Sequence, residues 1–178
     1  MNTLREELVE IGAVPYVFPK NIDERLKMLY KIKQILIYEI PAVKDMKPCR
    51  NYMLWLEIIK NGKTFIISRD NLHIVVVRSS DFNGRPMTEL EFGLWHEYGH
   101  LNREHPNDPL KNDKSADEFA IQQLTELYDA DEAYRIYIDF ILNNYSVNVK
   151  TGEHSQIVEP YLHRESDLND YLNKLNNK

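Results

Sequence analysis

The segment His96-Glu97-Tyr98-Gly99-His100 constrains this chain more than any other. On a helix, residues four apart lie one above the other on the same face, so these two imidazoles enter the same space. Convergence of that kind is what a divalent metal, zinc by ligand type, asks of its first two ligands. Glu97 stands one residue round from His96, beside such an ion without being needed to hold it. That is where the general base of a zinc hydrolase has to be. From the chain's own His and Glu frequencies, a chance match to this spacing has a frequency of roughly 2%. Context lowers it further, because the polar stretch Ser79 to Pro86 precedes the segment, and Thr88 with Glu91 has the form of a capping box for a helix opening near Met87.

Two histidines are an incomplete site, since catalytic zinc usually takes three protein ligands and keeps a fourth position for water. The third has to come from another element. Asn112 to Ala120 reads as the start of the following helix, where Asp113 and Asp117 share a face and Ala116 and Ala120 are small enough for close packing on the motif helix. Asp113 is assigned as third ligand, and Asp117 as the carboxylate that holds a ligand imidazole in its tautomer. Glu118, Asp117 and Glu104 are the alternatives for the third position. An acidic first helical turn complementing the helix dipole would explain Asp113 without any metal. Glu104 lies four beyond His100, but three ligands on one straight helix surround an ion poorly. His105 does not fit the extended motif, which wants Gly and His where Arg103 and Pro106 stand.

The rest of the chain reads as α+β. A short amphipathic helix is expected at about 3–10. A long helix is expected from Asn21 to about Ile40, with Ile22, Leu26, Leu29, Ile32, Leu36 and Ile40 at three- and four-residue steps, Asn21 and Glu24 capping it and Pro41 ending it. Between Tyr52 and Val77, short apolar runs split by turn residues predict a three-stranded antiparallel meander. Its strands are Met53 to Ile59, Thr64 to Ser68 and Leu72 to Val77, with turns at Asn61-Gly62 and Asp70-Asn71. The motif helix is expected to fray by Glu104 to Asn107, because Pro106 disfavours helical dihedrals before it. Helices should follow at about 113–128, 131–143 and 160–175. The expected architecture is one domain over residues 1–178: a small antiparallel sheet packed on the active-site helix, with N- and C-terminal helices.

Composition narrows the function. A net charge of −6 with 22 scattered Lys and Arg argues against nucleic acid as a partner, because phosphate contacts need clustered basic residues. No apolar run approaches about 18 residues, and the charged start Met1-Asn2-Thr3-Leu4-Arg5-Glu6-Glu7 lacks the apolar core of a signal peptide, so neither a membrane span nor export is expected. Cys49 is the only cysteine, which fits a reducing compartment and a cytoplasmic location.

His-Glu-Tyr-Gly-His, followed by Ser-Ala-Asp-Glu-Phe-Ala at Ser115 to Ala120, resembles the ImmA/IrrE type of zinc metallopeptidase domain over about residues 64–125. That family typically carries His-Glu-x-Gly-His and then Glu-x-Glu-Ala-Asn/Asp-x-Phe-Ala, with the first Glu as third ligand. The resemblance puts Asp113 at the ligand position, Ser115 at the second Glu and Asp117 at the Asn/Asp position. Asp113 departs from the pattern by one methylene, which the helices would have to absorb by closer approach. The resemblance implies a cytoplasmic enzyme of a mobile element or stress response, cleaving a repressor-like protein.

The expected function is therefore a zinc-dependent endopeptidase acting on a specific protein or peptide substrate. His96, His100 and Asp113 would hold the metal, and Glu97 would take a proton from the activated water and pass it to the leaving amine. His154, His163, Tyr128 and Tyr145 are the candidates for oxyanion stabilisation. The alternatives are a non-catalytic, metal-stabilised protein-binding module, whose fourth coordination position would be filled by protein, and a small-molecule hydrolase such as an amidase.

Overall fold

The computed structural model describes residues 2–61, 63–69, 71–101 and 109–177. The chain divides into two compact units, residues 1–87 and 88–178, and each is taken by itself. Among the described residues there are seven α-helices and one four-stranded sheet, so the class is α+β. None of these helices is long and apolar enough to cross a membrane.

The first unit opens with α1 (Leu4–Glu10). Its start is closed by a reciprocal box in which Thr3 Oγ1 accepts from Glu6 N–H and Glu6 accepts from Thr3 N–H. Helix α2 spans Glu24–Ile32, shorter than the expected run to Ile40, and its cap is Asp23 rather than Asn21. The periodicity through Leu36 and Ile40 misled because Gln34 takes a left-handed φ of 53° and breaks the helix. The residues beyond it, Leu36–Glu39, pair as strand β2. Sheet pairing of an Ile- and Tyr-rich stretch here overrides a helical spacing.

The expected meander is also corrected. Met53 to Ile59 is not a strand but lies in helix α3 (Tyr52–Asn61), which buries Leu54 and Ile58, four apart. A short apolar run does not declare its period, and the overlooked signal was Asn51, whose Oδ1 accepts from Leu54 N–H at 3.1 Å as a helix cap. The Asn61-Gly62 hairpin therefore falls away, since Asn61 ends a helix; Gly62 and Asp70 lie outside the described residues. The sheet contains β1 (Val14–Pro15), β2, β3 (Thr64–Arg69) and β4 (Leu72–Val77) in the order β1-β2-β4-β3. It is mixed, with β2 parallel to β4 and the other two pairings antiparallel. Only the β3/β4 hairpin of the expected meander is present, and Asn71 supplies the positive φ of its turn.

Leu4 and Leu8 of α1, Leu54 and Ile58 of α3, Phe65 and Ile67 of β3, and Ile74 and Val76 of β4 form one core cluster. Burying each such side chain contributes about 1.5–3 kcal/mol before entropy is counted. Val75 and Val77 point to the opposite face by the pleat of the strand and are fully buried too, so β4 is covered on both faces.

The second unit is helical: α4 (Met87–Leu101), α5 (Pro109–Thr125), α6 (Ala130–Asn144) and α7 (Leu162–Asn176), close to the expected spans. Thr88 lies inside the first turn of α4 rather than at its cap. Residues Glu89 to Gly99 are buried on every side of that helix, which makes it the centre of the unit. Phe92 meets Tyr137 and Phe140 of α6, while Trp95 and Tyr98 meet Phe119 of α5. Asn143 of α6 donates a hydrogen bond to the buried Glu89 carboxylate.

Candidate metal centre

Gly99 decides how near α5 can come to the motif helix. A Cβ built there would lie 3.1 Å from the Ala116 Cα and 3.2 Å from Phe119 Cδ1, closer than packed atoms normally stand. A glycine inside a helix costs about 1 kcal/mol relative to alanine, and the close approach of two helices is what offsets it. Fully buried Ala116 and Ala120 are the complementary small residues on α5, as the sequence suggested.

That approach brings three donors together. His96 and His100, one turn apart on α4, place their Nε2 atoms 3.0 Å from each other. Asp113, in the first half of α5, sets Oδ1 3.7 Å from His96 Nε2 and 3.4 Å from His100 Nε2. His96 and Asp113 are buried and His100 is largely so. Ligands at 2.0–2.1 Å from a tetrahedral ion lie about 3.3 Å apart, and the three separations bracket that value. Asp113 Oδ1 lies beyond hydrogen-bond range of the His96 ring and at its outer limit from the His100 ring. His96, His100 and Asp113 form a group that could hold a metal ion.

The other face of His96 is held by Asp117, whose Oδ1 lies 2.7 Å from His96 Nδ1. Burial alone would raise the Asp117 pKa, but Arg164, His96 and the hydrogen bonds from Arg164 and His163 hold it well below the usual carboxylate range. An ionised carboxylate only accepts, so Nδ1 donates, and a neutral His96 keeps its lone pair on Nε2, facing His100 and Asp113. Asp117 thus stands beside the His96 ring. Its neighbour Glu118 points outward, exposed and 3.8 Å from Lys114, and is no part of the group. Glu104, His105 and Pro106 lie outside the described residues.

Comparison with protein-family models, curated proteins and solved structures yields no match.

The chemistry is therefore argued from the site alone. Glu97 is 4% exposed, within the buried stretch of α4. Of the four oxyanion candidates, His163 joins the cluster through a 2.6 Å hydrogen bond from Nε2 to Asp117 Oδ2. Tyr145 accepts from Arg164 Nη1 at 3.4 Å. His154 faces the Ser155 carbonyl and Glu165, and Tyr128 lies at the opposite end of α5 from Asp113.

Two participants were not visible in the sequence. Arg164 of α7 pairs in the plane of Asp117 through Nε and Nη2, both at 2.8 Å. Burial disfavours its charge, yet Asp117 keeps its pKa well above the ordinary arginine value. Tyr161 stacks on the Arg164 guanidinium at 4.4 Å. Burial and then the Asp113 carboxylate push its hydroxyl well up, with Glu97 adding to the effect and Arg164 opposing it. Its phenol therefore stays protonated and shares its electrostatic surroundings with both Asp113 and Glu97. No spacing pattern points to a residue some fifty positions downstream of its partner, and only the adjacent His163 hinted at this turn.

Proposed function

We propose that this chain is a zinc-dependent peptidase that hydrolyses a peptide bond in a specific protein substrate. The observation that carries the reading is the convergence of His96, His100 and Asp113, with Glu97 buried beside the first histidine. Two neutral imidazoles and one carboxylate suit zinc, leaving the site with a net positive charge. When bound there, zinc supplies Lewis acidity toward a carbonyl oxygen and makes water acidic enough to attack at neutral pH.

The chain's own residues do the rest. Asp117 keeps His96 in the tautomer a ligand needs. Glu97 takes a proton from the attacking water and delivers it to the departing amine, and its burial keeps bulk water from competing for that proton. The Tyr161 hydroxyl, held protonated, is the hydrogen-bond donor nearest in chemistry to what a developing oxyanion wants. The resemblance of His96 to His100 and Ser115 to Ala120 to the ImmA/IrrE segment suggests that the substrate is a repressor-like regulator, cleaved in the cytoplasm.

Glu97→Gln tests the proposal, because it keeps side-chain size and removes the base. Metal content and fold should persist, while activity should fall by about 10²-fold or more. Activity is read as fragments of cellular protein that appear with the wild type and vanish with chelator. A wild type that forms no fragment, or a Glu97→Gln variant that forms them at an undiminished rate, would favour a metal-stabilised binding module instead.

A further inference from the structure

A carboxylate offers about four lone-pair positions, and in Asp117 all four are taken. Oδ1 accepts from His96 Nδ1 at 2.7 Å and from Arg164 Nη2 at 2.8 Å. Oδ2 accepts from His163 Nε2 at 2.6 Å and from Arg164 Nε at 2.8 Å. Arg164 thus uses one position on each oxygen, which fixes the rotation of the carboxylate about its own axis. The position left on Oδ1 is then directed at the His96 ring.

Arg164 is itself fixed. It is 5% exposed, its guanidinium lies 4.4 Å over the Tyr161 ring and 5.5 Å from the Phe140 ring, and Nη1 reaches Tyr145. A planar fork lying against two rings and paired to both carboxylate oxygens defines a plane, which a lysine ammonium cannot do. The bland alternative is a buried ion pair that only fastens α7 to α5. Nothing in that role requires the other two lone pairs of Asp117 to be spent on histidines, one of them a metal donor.

We propose that Arg164 is a positioning residue for the metal centre, setting through Asp117 the plane in which His96 is presented to the ion. The inference rests on the metal-site reading above and adds that the first turn of α7 belongs to that site. Removing the partner that orients a ligand typically lowers metal affinity 10–100-fold.

The test uses the full chain with zinc alone, its affinity measured by chelator competition, and cobalt(II) as a spectroscopic probe of ligand geometry. Arg164→Met should weaken zinc binding 10–100-fold and alter the cobalt spectrum, and Arg164→Lys should restore affinity only in part. Asp117→Asn combined with Arg164→Met should bind about as weakly as Asp117→Asn alone, because both act through one ligand. Tyr137→Phe is the control, since it removes the 2.7 Å bond to Asp167 that also ties α6 to α7; its hydroxyl, pushed up by burial and then by Asp117, stays neutral and hydrogen-bonds neither Asp117 nor a donor. It should leave affinity and spectrum unchanged.

Wild-type affinity in Arg164→Met, additive losses in the double variant, or an equal loss in Tyr137→Phe would each overturn the proposal. Should Arg164→Met fail to fold, Arg164→Lys read against Tyr137→Phe decides it in the same way. A wild type that binds no zinc would remove the metal-site reading as well, whereas tight binding by both wild type and Arg164→Met sinks this inference alone.

Discussion

The two compact units spend their buried charges differently. In residues 1–87 the buried Glu7 and Arg78 and the half-buried Glu39 fasten the ends of elements. Glu7 of α1 pairs with Arg69 at 2.7 Å and accepts from Asn51, Arg78 donates to the Ile58 carbonyl at the end of α3 and to Asp81, and Glu39 accepts from both the backbone and hydroxyl of Ser79. In residues 88–178, Glu89 and Glu91 are buried near the start of α4, Glu89 accepting from Asn143, while His96, Glu97, Asp113, Asp117 and Arg164 are buried and concentrated on turns of α4, α5 and α7, joined by His100 and His163. Burying charge is expensive, and pairs that terminate helices and strands justify it by local order alone. The three donors facing one point form a group that could hold a metal ion, which would offset that cost.

Gly99→Ala should sharpen that contrast. Alanine is the better helix former by up to about 1 kcal/mol, but its Cβ would press on the backbone of α5 at Ala116, and overpacking of this kind costs about 1–3 kcal/mol. The account expects a modest net loss of thermal stability together with a fall in zinc affinity of about tenfold, because Asp113 and Asp117 ride on the helix that is displaced. A variant with full metal affinity would mean that the close approach serves packing alone.

The matching change in the other unit is smaller. Burial and then Glu39 push the Tyr16 hydroxyl up to about 12. Its folded-state pKa thus exceeds the unfolded value of about 10, so the stabilisation is complete below about pH 10 and is lost as pH rises toward about 12. After allowance for solvent screening this is worth no more than about 1 kcal/mol. Tyr16→Phe should flatten that part of the alkaline stability profile, read by denaturant titration, and leave zinc affinity as it was. A change in zinc affinity would break the division of roles drawn here.

The same contrast governs what could be read in advance. The helices of the second unit were legible because each is long, and the donors could be found because one face of α4 and one face of α5 carry them at helical spacing. The first unit was legible only in part. Met53 to Ile59 and Leu36 to Ile40 are short apolar runs whose assignment exchanges under tertiary context: the first is a helix capped by Asn51, the second a strand paired in parallel with β4. Parallel pairing joins residues about forty positions apart, a relation that no local pattern records. Arg164 was hidden for the same reason.

The most direct measurement is the metal content of the purified chain by elemental analysis. The account predicts about one equivalent of zinc per chain in the wild type, in Glu97→Gln and in Glu118→Ala, and its loss in His96→Ala, His100→Ala and Asp113→Ala. Full retention of zinc in both histidine variants would contradict the metal centre itself, and loss in Glu118→Ala with retention in Asp113→Ala would show that the wrong carboxylate had been assigned to it.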